Sequence, residues 1–265
     1  MNDAAPHAGA AFFDVDRTLL AGSSGLHLAR PMRRHGLITA RQLARTMLIQ
    51  LTFAAKGSDD EQLDRYTEGV KELMRGWDRD TVVRVVEDQL EHRVRPMVYR
   101  DALDRIAQHR AQGMRVYAVS ATMEEIIEPL AELLGLDGAV ATRMQVEDGL
   151  FTGEIELPCH GAQKADRLRD FAEEQGIDLA QSVAYSDSIT DEQFLRAVGR
   201  AYAVNPDRKL KTLAEQEGWG ILRFTTRVRA PMHRRRAPRM AALAIATGLA
   251  YGWRTRRRAR RRRDA

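Results

Sequence analysis

Residues 11–20 read AFFDVDRTLL, and the fold follows from how this stretch is read. Ala11, Phe12, Phe13 and Val15 are apolar and aromatic without clean alternation, the pattern of a strand buried on both faces. Asp14 and Asp16 then stand two residues apart, so both sit at the strand's carboxyl end as the chain leaves the sheet. That edge is where open α/β sheets bind ligands. Aspartate is also common in turns after strands, so the rest of the chain must decide between a site and a turn.

Working outward, residues 23–95 lack convincing strands and carry apolar residues at three- and four-residue spacings. The segments LHLARPMRRHGL, TARQLARTMLIQLTFAAK, DEQLDRYTEGVKELMRGW and RDTVVRVVEDQLEHRV read as helices punctuated by Gly36, Gly57-Ser58 and Gly76. An all-helical block after the first strand is best explained as an inserted cap, able to close over the strand end and exclude water. From Pro96, helices and strands alternate. MVYRDALDRIAQHRAQG, MEEIIEPLAELLG, QKADRLRDFAEEQG, TDEQFLRAVG and DRKLKTLAEQEG read as helices, with a kink expected at Pro129. MRVYAVS, GAVAT, SVAYSD, RAYAVN and WGILRF read as strands, and RMQVEDGLFTGEIEL as a hairpin turning at Asp148-Gly149. This alternation predicts an α/β fold, a doubly wound, Rossmann-like parallel sheet. Its core would be residues 1–22 and 96–226, its helical cap residues 23–95, and residues 227–265 a basic and apolar tail.

The chain has 265 residues, 44% of them hydrophobic, enough to bury a sizeable core and to exclude wholesale disorder. Its lone Cys159 allows no internal disulfide and suits a reducing cytoplasm. No basic segment followed by an apolar one opens the sequence, so a cytoplasmic location is expected. The net charge of +5 hides an asymmetry: residues 227–265 hold 14 arginines and one acid, leaving −8 on residues 1–226. An acidic body offers no face to track a phosphate backbone, and the tail interleaves only Tyr251 and Trp253 as aromatics. Nucleic acid is therefore a poor fit as partner. Within the tail, residues 240–253 (MAALAIATGLAYGW) carry no charge, and arginines crowd both ends. As a helix this run would reach about 21 Å, short of the ~30 Å hydrocarbon core. Shallow insertion into an anionic membrane surface, the inner face for a cytoplasmic protein, is the expectation.

Three further signals fall at expected strand ends. Ser120 closes MRVYAVS ahead of a helix start, where a hydroxyl and main-chain N–H groups form an anion site, although Ser120 or Thr122 could equally cap that helix. Lys164 lies near a helix start, where a cation opposes the helix dipole. It is a phosphate ligand or a solvated lysine. Asp187 ends SVAYSD and Asp191 follows it, where Ser188-x-x-Asp191 also fits a capping box.

Each signal alone is weak, but their order and spacing carry information. The series Asp14-x-Asp16-x-Thr18, Ser120, Lys164, Asp187 and Asp191 resembles the motifs of the haloacid dehalogenase (HAD) superfamily across residues 10–225. SATMEEIIEPLAELLG, GAQKADRLRDFAEEQGID and AYSDSITDEQFLRAVGRAYAVNPD are most similar to subfamily IB, which has a helical cap after the first motif and includes phosphoserine phosphatases. The resemblance implies a phosphomonoester hydrolase acting on a small molecule with Mg²⁺. Asp14 is then the nucleophile that forms an aspartyl-phosphate, and Asp16 the acid and base whose main-chain carbonyl also binds metal. Asp14 and Asp187 complete the metal set, Asp191 supports the metal shell or orients Lys164, and Ser120, Ala121, Lys164 and Thr18 hold phosphate or the first-motif loop. A divalent cation is needed because the substrate's charge repels an attacking carboxylate. Three departures stand out. Ala121-Thr122 replace the two glycines usual in phosphoserine phosphatases, and Arg17 stands where many members have glycine or another small residue. Ser186 and Ser188 replace glycines of the last motif. Transfer to an alcohol instead of water, or a lipid-derived substrate, would use the same groups. The reading outside enzymes is a nucleic-acid-binding scaffold docking through its arginine tail.

Overall fold

The computed structural model describes residues 8–42, 68–69 and 71–228. The expected helix over residues 39–56 lies largely outside these residues, as does the tail beyond Val228. In chain order the elements are β1 (Ala10–Asp14), α1 (Ser24–Arg34), α2 (Arg79–Gln89), α3 (Arg100–Ala111), β2 (Arg115–Met123), α4 (Glu124–Leu133) and β3 (Gly138–Glu147). There follow β4 (Leu150–Leu157), α5 (Gly161–Glu174), β5 (Val183–Ser186), α6 (Glu192–Arg196), β6 (Arg200–Val204), α7 (Arg208–Glu217) and β7 (Gly220–Leu222). The strands form one sheet in the order β4-β3-β2-β1-β5-β6-β7. Every pairing is parallel except β3 with β4.

β1 is central, and its alternate residues feed two cores. Ala11, Phe13 and Val15 join the cluster containing Leu28 and Met32 of α1, Val82, Val85 and Val86 of α2, and Ile106 of α3. Ala10 and Phe12 join Leu168 of α5, Phe194 of α6 and Leu210 of α7 on the other face. Burial on both sides explains the unbroken apolar run, since neither face of this strand meets water. The inserted helices α1 and α2 thus share the core of the first face.

The hairpin turns where the Asp-Gly pair places it. Asp148 and Gly149 have φ of 50° and 79°, the two left-handed residues of a tight two-residue turn. Its flank pairs with the inserted block: Phe151 N–H donates to Trp77 O, Gly76 N–H to Phe151 O and Arg79 N–H to Gly149 O. At Gly153, φ is +86°, and a β-carbon would come 2.8 Å from Lys71 O, so the two pieces approach through a glycine.

Three expectations are revised. GAVAT and the first arm of the hairpin are one strand, β3, which pairs with β2 in its first half, shifts register near Arg143–Met144, and turns to β4. The helix expected over residues 190–199 is a 3-10 turn (Ile189–Asp191) followed by the short α6. The chain must return at once to Gly199, which sits against Ala180 O so closely that no β-carbon would fit. The sheet side also extends past residue 226: Arg100 N–H donates to Thr226 O and Val228 N–H to Val98 O.

Candidate active site

The carboxyl ends of β2, β1 and β5 lie side by side. Asp14 closes β1, Ser120 lies near the end of β2, and Asp187 follows β5. Into this edge comes Lys164 from the first turn of α5. Lys164 is 1% exposed. Its Nζ donates to Asp14 Oδ1 at 2.6 Å and to Asp191 Oδ2 at 2.7 Å. The solvated-lysine reading is thereby excluded, and the unfavourable helix position is offset by two carboxylates. Ser186 Oγ donates to the same Asp191 oxygen at 2.6 Å. The capping-box reading of Asp191 fails too: Ser188 caps the turn by accepting from Thr190 N–H, while the Asp191 carboxylate is engaged by Lys164 and Ser186.

The loop after β1 is held by its own main chain, with Leu19 and Leu20 N–H both donating to Val15 O. Asp16 Oδ1 accepts from Ser24 N–H at 2.7 Å. It thereby satisfies a free donor at the start of α1, whose N-cap Ser23 makes no side-chain cap. The acid at the strand end thus anchors the inserted helices. Thr18 is fully buried, and its Oγ1 has no hydrogen-bond partner among the described residues.

Ser120 is buried, but its place differs from expectation. The strand runs on past it through an irregularity to Met123, and α4 is capped by Met123 without a side-chain bond. Ser120 Oγ instead accepts from Thr122 N–H at 3.1 Å, so neither Ser120 nor Thr122 caps the helix. Thr142 Oγ1 ties down Ala121 O, and Ala121 itself is exposed beside Ser120.

Charge is crowded here. Burial pushes the Asp14 carboxyl well up, with Asp191 and Asp187 adding to the effect and Lys164 opposing it. Asp16 is also raised by burial, against the Ser24 bond. Burial alone would lower Lys164, but Asp14 and Asp191 outweigh it and hold the ammonium charged. Asp187 is pushed up to about 7, chiefly by burial and partly by Asp191, with Arg17 opposing. Arg17 Nε lies 3.2 Å from Asp187 Oδ2 as an ion pair. The contact lacks hydrogen-bond alignment, so this buried oxygen accepts no hydrogen bond. Three buried carboxyl groups, Asp14, Asp187 and Asp191, around the buried Lys164, with one oxygen unbonded, fit a hard, oxygen-ligated divalent cation. Among the described residues no three His, Cys, Asp or Glu side chains could enclose an ion by themselves. Main-chain, water or substrate oxygens would have to complete its shell, as is usual for Mg²⁺.

A family model, the haloacid dehalogenase-like hydrolase, matches residues 11–196 and so covers every group just described. The chain belongs to this family. A probable phosphatase of Mycobacterium tuberculosis (strain H37Rv) is 43% identical over 243 residues, 92% of this chain and 84% of that protein. A phosphoserine phosphatase of the same organism is 32% identical over 256 residues, 95% of this chain and 82% of its own length. A solved phosphoserine phosphatase, captured as a phospho-aspartyl intermediate analogue, shares the fold with a TM-score of 0.57 at 22% identity. That match covers 83% of this chain and 95% of that one. This HAD hydrolase is of the phosphatase type and phosphoserine phosphatase-like. Reading the sequence missed Ser186 as an Asp191 donor, Ser24 N–H as the Asp16 donor, and Arg17 as the partner of Asp187. Ser186 and Arg17 had registered only as departures from the motif.

Proposed function

We propose that this HAD hydrolase cleaves small phosphomonoesters with Mg²⁺ through an aspartyl-phosphate on Asp14. The observation that carries the reading is Lys164 bridging Asp14 and Asp191 in a buried, carboxylate-rich strand edge. Lys164 occupies Asp14 Oδ1, which leaves Oδ2 as the attacking oxygen. As the new O–P bond forms, the ester P–O bond breaks and Asp16 gives its proton to the leaving oxygen. Burial keeps that carboxyl's proton available nearer neutrality. Asp16 then takes a proton from water as water attacks phosphorus and frees Asp14. Lys164, Ser120, the main chain at Ala121 and Thr18 would hold the phosphoryl oxygens. Asp14, Asp187, Asp191 and the Asp16 carbonyl would hold Mg²⁺, which when bound neutralises charge on nucleophile and phosphoryl group. The inserted block, residues 23–95, would serve as the cap that excludes water and selects substrates. Phosphoserine heads the substrate list by similarity, and Ala121-Thr122 sets this chain apart from it.

The test is a phosphate-release screen over serine, glycerol, sugar, nucleotide and lipid phosphates in Mg²⁺. We expect release from at least one class, abolished by a chelator. At sub-saturating Mg²⁺ its rate should rise with pH, because burial raises the Asp187 carboxyl and a protonated carboxyl cannot ligate the cation. Release from no substrate, or a rate indifferent to chelator, would refute the reading.

No helix among the described residues is long and apolar enough to cross a membrane. For the tail, outside those residues, charge and apolar pattern support peripheral attachment to anionic lipid, each arginine contributing about 1 kcal/mol near the surface. The full chain should sediment with anionic liposomes, and a form ending at Thr226 should stay in the supernatant. Equal behaviour of the two would remove this role.

A further inference from the structure

Arg17 has a backbone that disfavours it and a side chain that faces a carboxylate of the site. Its φ is +66°, left-handed backbone in which glycine is relaxed and a β-carbon is crowded. The turn gives no freedom to escape, since Arg17 N–H donates to Gly22 O and the Leu19 and Leu20 amides return to Val15 O. A strained residue held in place at a site points to function. The guanidinium reaches Asp187, whose side chain is 6% exposed, while the Arg17 side chain itself is 64% exposed. Lys164, the buried cation of the site, is already committed to Asp14 and Asp191. Among the described residues Arg17 is the cation that forms an ion pair with Asp187. Its pairing lacks hydrogen-bond geometry and leaves Oδ2 able to bind something else. Being largely in solvent, the guanidinium can withdraw at small cost.

We propose that Arg17 is a tethered cation that holds Asp187 in the absence of a divalent ion and competes with that ion for the carboxylate. The inference rests on the reading of Asp187 as a metal ligand. Two cations that favour one carboxylate weaken each other by the same factor, whichever is bound first. Arg17 then sets how much Mg²⁺ the enzyme needs, while keeping the metal-free site from holding an unpaired buried charge.

The test is isothermal titration of Mg²⁺ alone into chelator-stripped full-length protein, without substrate, for the wild type, Arg17→Gly, Arg17→Ala and Arg17→Lys. Arg17→Gly and Arg17→Ala should both bind Mg²⁺ about tenfold more tightly, a shift of about 1.4 kcal/mol. Arg17→Lys should fall between them and the wild type. Thermal melts of the metal-free forms separate charge from backbone: both variants lose the ion pair, but only glycine relieves the left-handed strain, so Arg17→Gly should melt above Arg17→Ala. Affinities within twofold of the wild type, or weaker, would overturn the proposal while leaving the metal reading in place. No saturable Mg²⁺ binding in any form, wild type included, would overturn both. Loss of binding in Asp187→Asn, alone and combined with Arg17→Gly, is the expected control, and retained binding there would also refute it.

Discussion

Asp14→Asn should lower phosphate release by at least about a thousandfold, roughly 4 kcal/mol in the barrier, while leaving the protein folded. The amide matches the carboxylate in size but cannot form the acyl phosphate, so the loss falls on the chemical step. Stability is expected to hold or rise. Burial, Asp191 and Asp187 all disfavour the charged Asp14, so in the folded state its proton is held more tightly than in the unfolded chain. A group with a raised carboxyl pKa costs stability as pH climbs above its unfolded value, and the neutral amide removes that cost. Lys164 keeps Asp191 as partner. Steady-state phosphate release and thermal melts of the metal-free protein at pH 7.5 check the two halves. Turnover within tenfold of wild type would remove Asp14 from the nucleophile's place.

What could be read in the sequence was local or periodic. The run AFFDV names a strand buried on both faces, and helix–strand alternation names a mostly parallel sheet; both are as expected. The strand-end acids were legible because a strand must end somewhere and a sheet edge is where side chains stay free. Lys164 was legible from being in the wrong place for a cation, and the structure supplies the reason in two carboxylates, one of them 150 residues away in the chain. The end of β2 was placed too early, at Ser120, because propensity cannot see the irregularity that carries the strand on to Met123. β3 was divided because its first half is buried against β2 and its second half turns to β4, which changes the apolar pattern in mid-strand. Arg17 and Ser186 looked like simple departures from a motif. Their partners, Asp187 and Asp191, lie on a strand edge brought alongside by folding, and no local pattern records such a contact.

Lys164→Met should be the most destabilising of the site substitutions in the absence of metal, and it should also cost activity. Methionine matches the lysine stem and retains the packing near Phe194, where the ammonium now lies 4.9 Å from the ring centre. It removes the charge that two buried carboxylates share. Breaking a buried pair from one side typically costs about 3–5 kcal/mol, because the remaining charge is left without compensation. For a protein of this size that corresponds to a fall in Tm of roughly 6–15 °C. The sign with pH follows from the same carboxylates. Without Lys164 the Asp14 carboxyl, already raised by burial, rises further above its unfolded value, so the folded state binds more protons and its stability falls as pH rises. The gap between wild type and Lys164→Met should therefore be wide at pH 8 and narrow at pH 5, where protonation substitutes for the missing cation. Mg²⁺ should close part of the gap at pH 8 by binding the vacated carboxylates. Activity in saturating Mg²⁺ should still fall about 10²–10³-fold, the usual loss when one donor to a developing oxyanion is removed. Lys164→Arg should not rescue it, because a planar guanidinium does not fit a 1% exposed space shaped around contacts of 2.6 and 2.7 Å. A Lys164→Met protein that melts with the wild type at both pH values would show that the charge is balanced elsewhere. One that turns over within tenfold would show that the ammonium supports the carboxylates without touching the phosphoryl group.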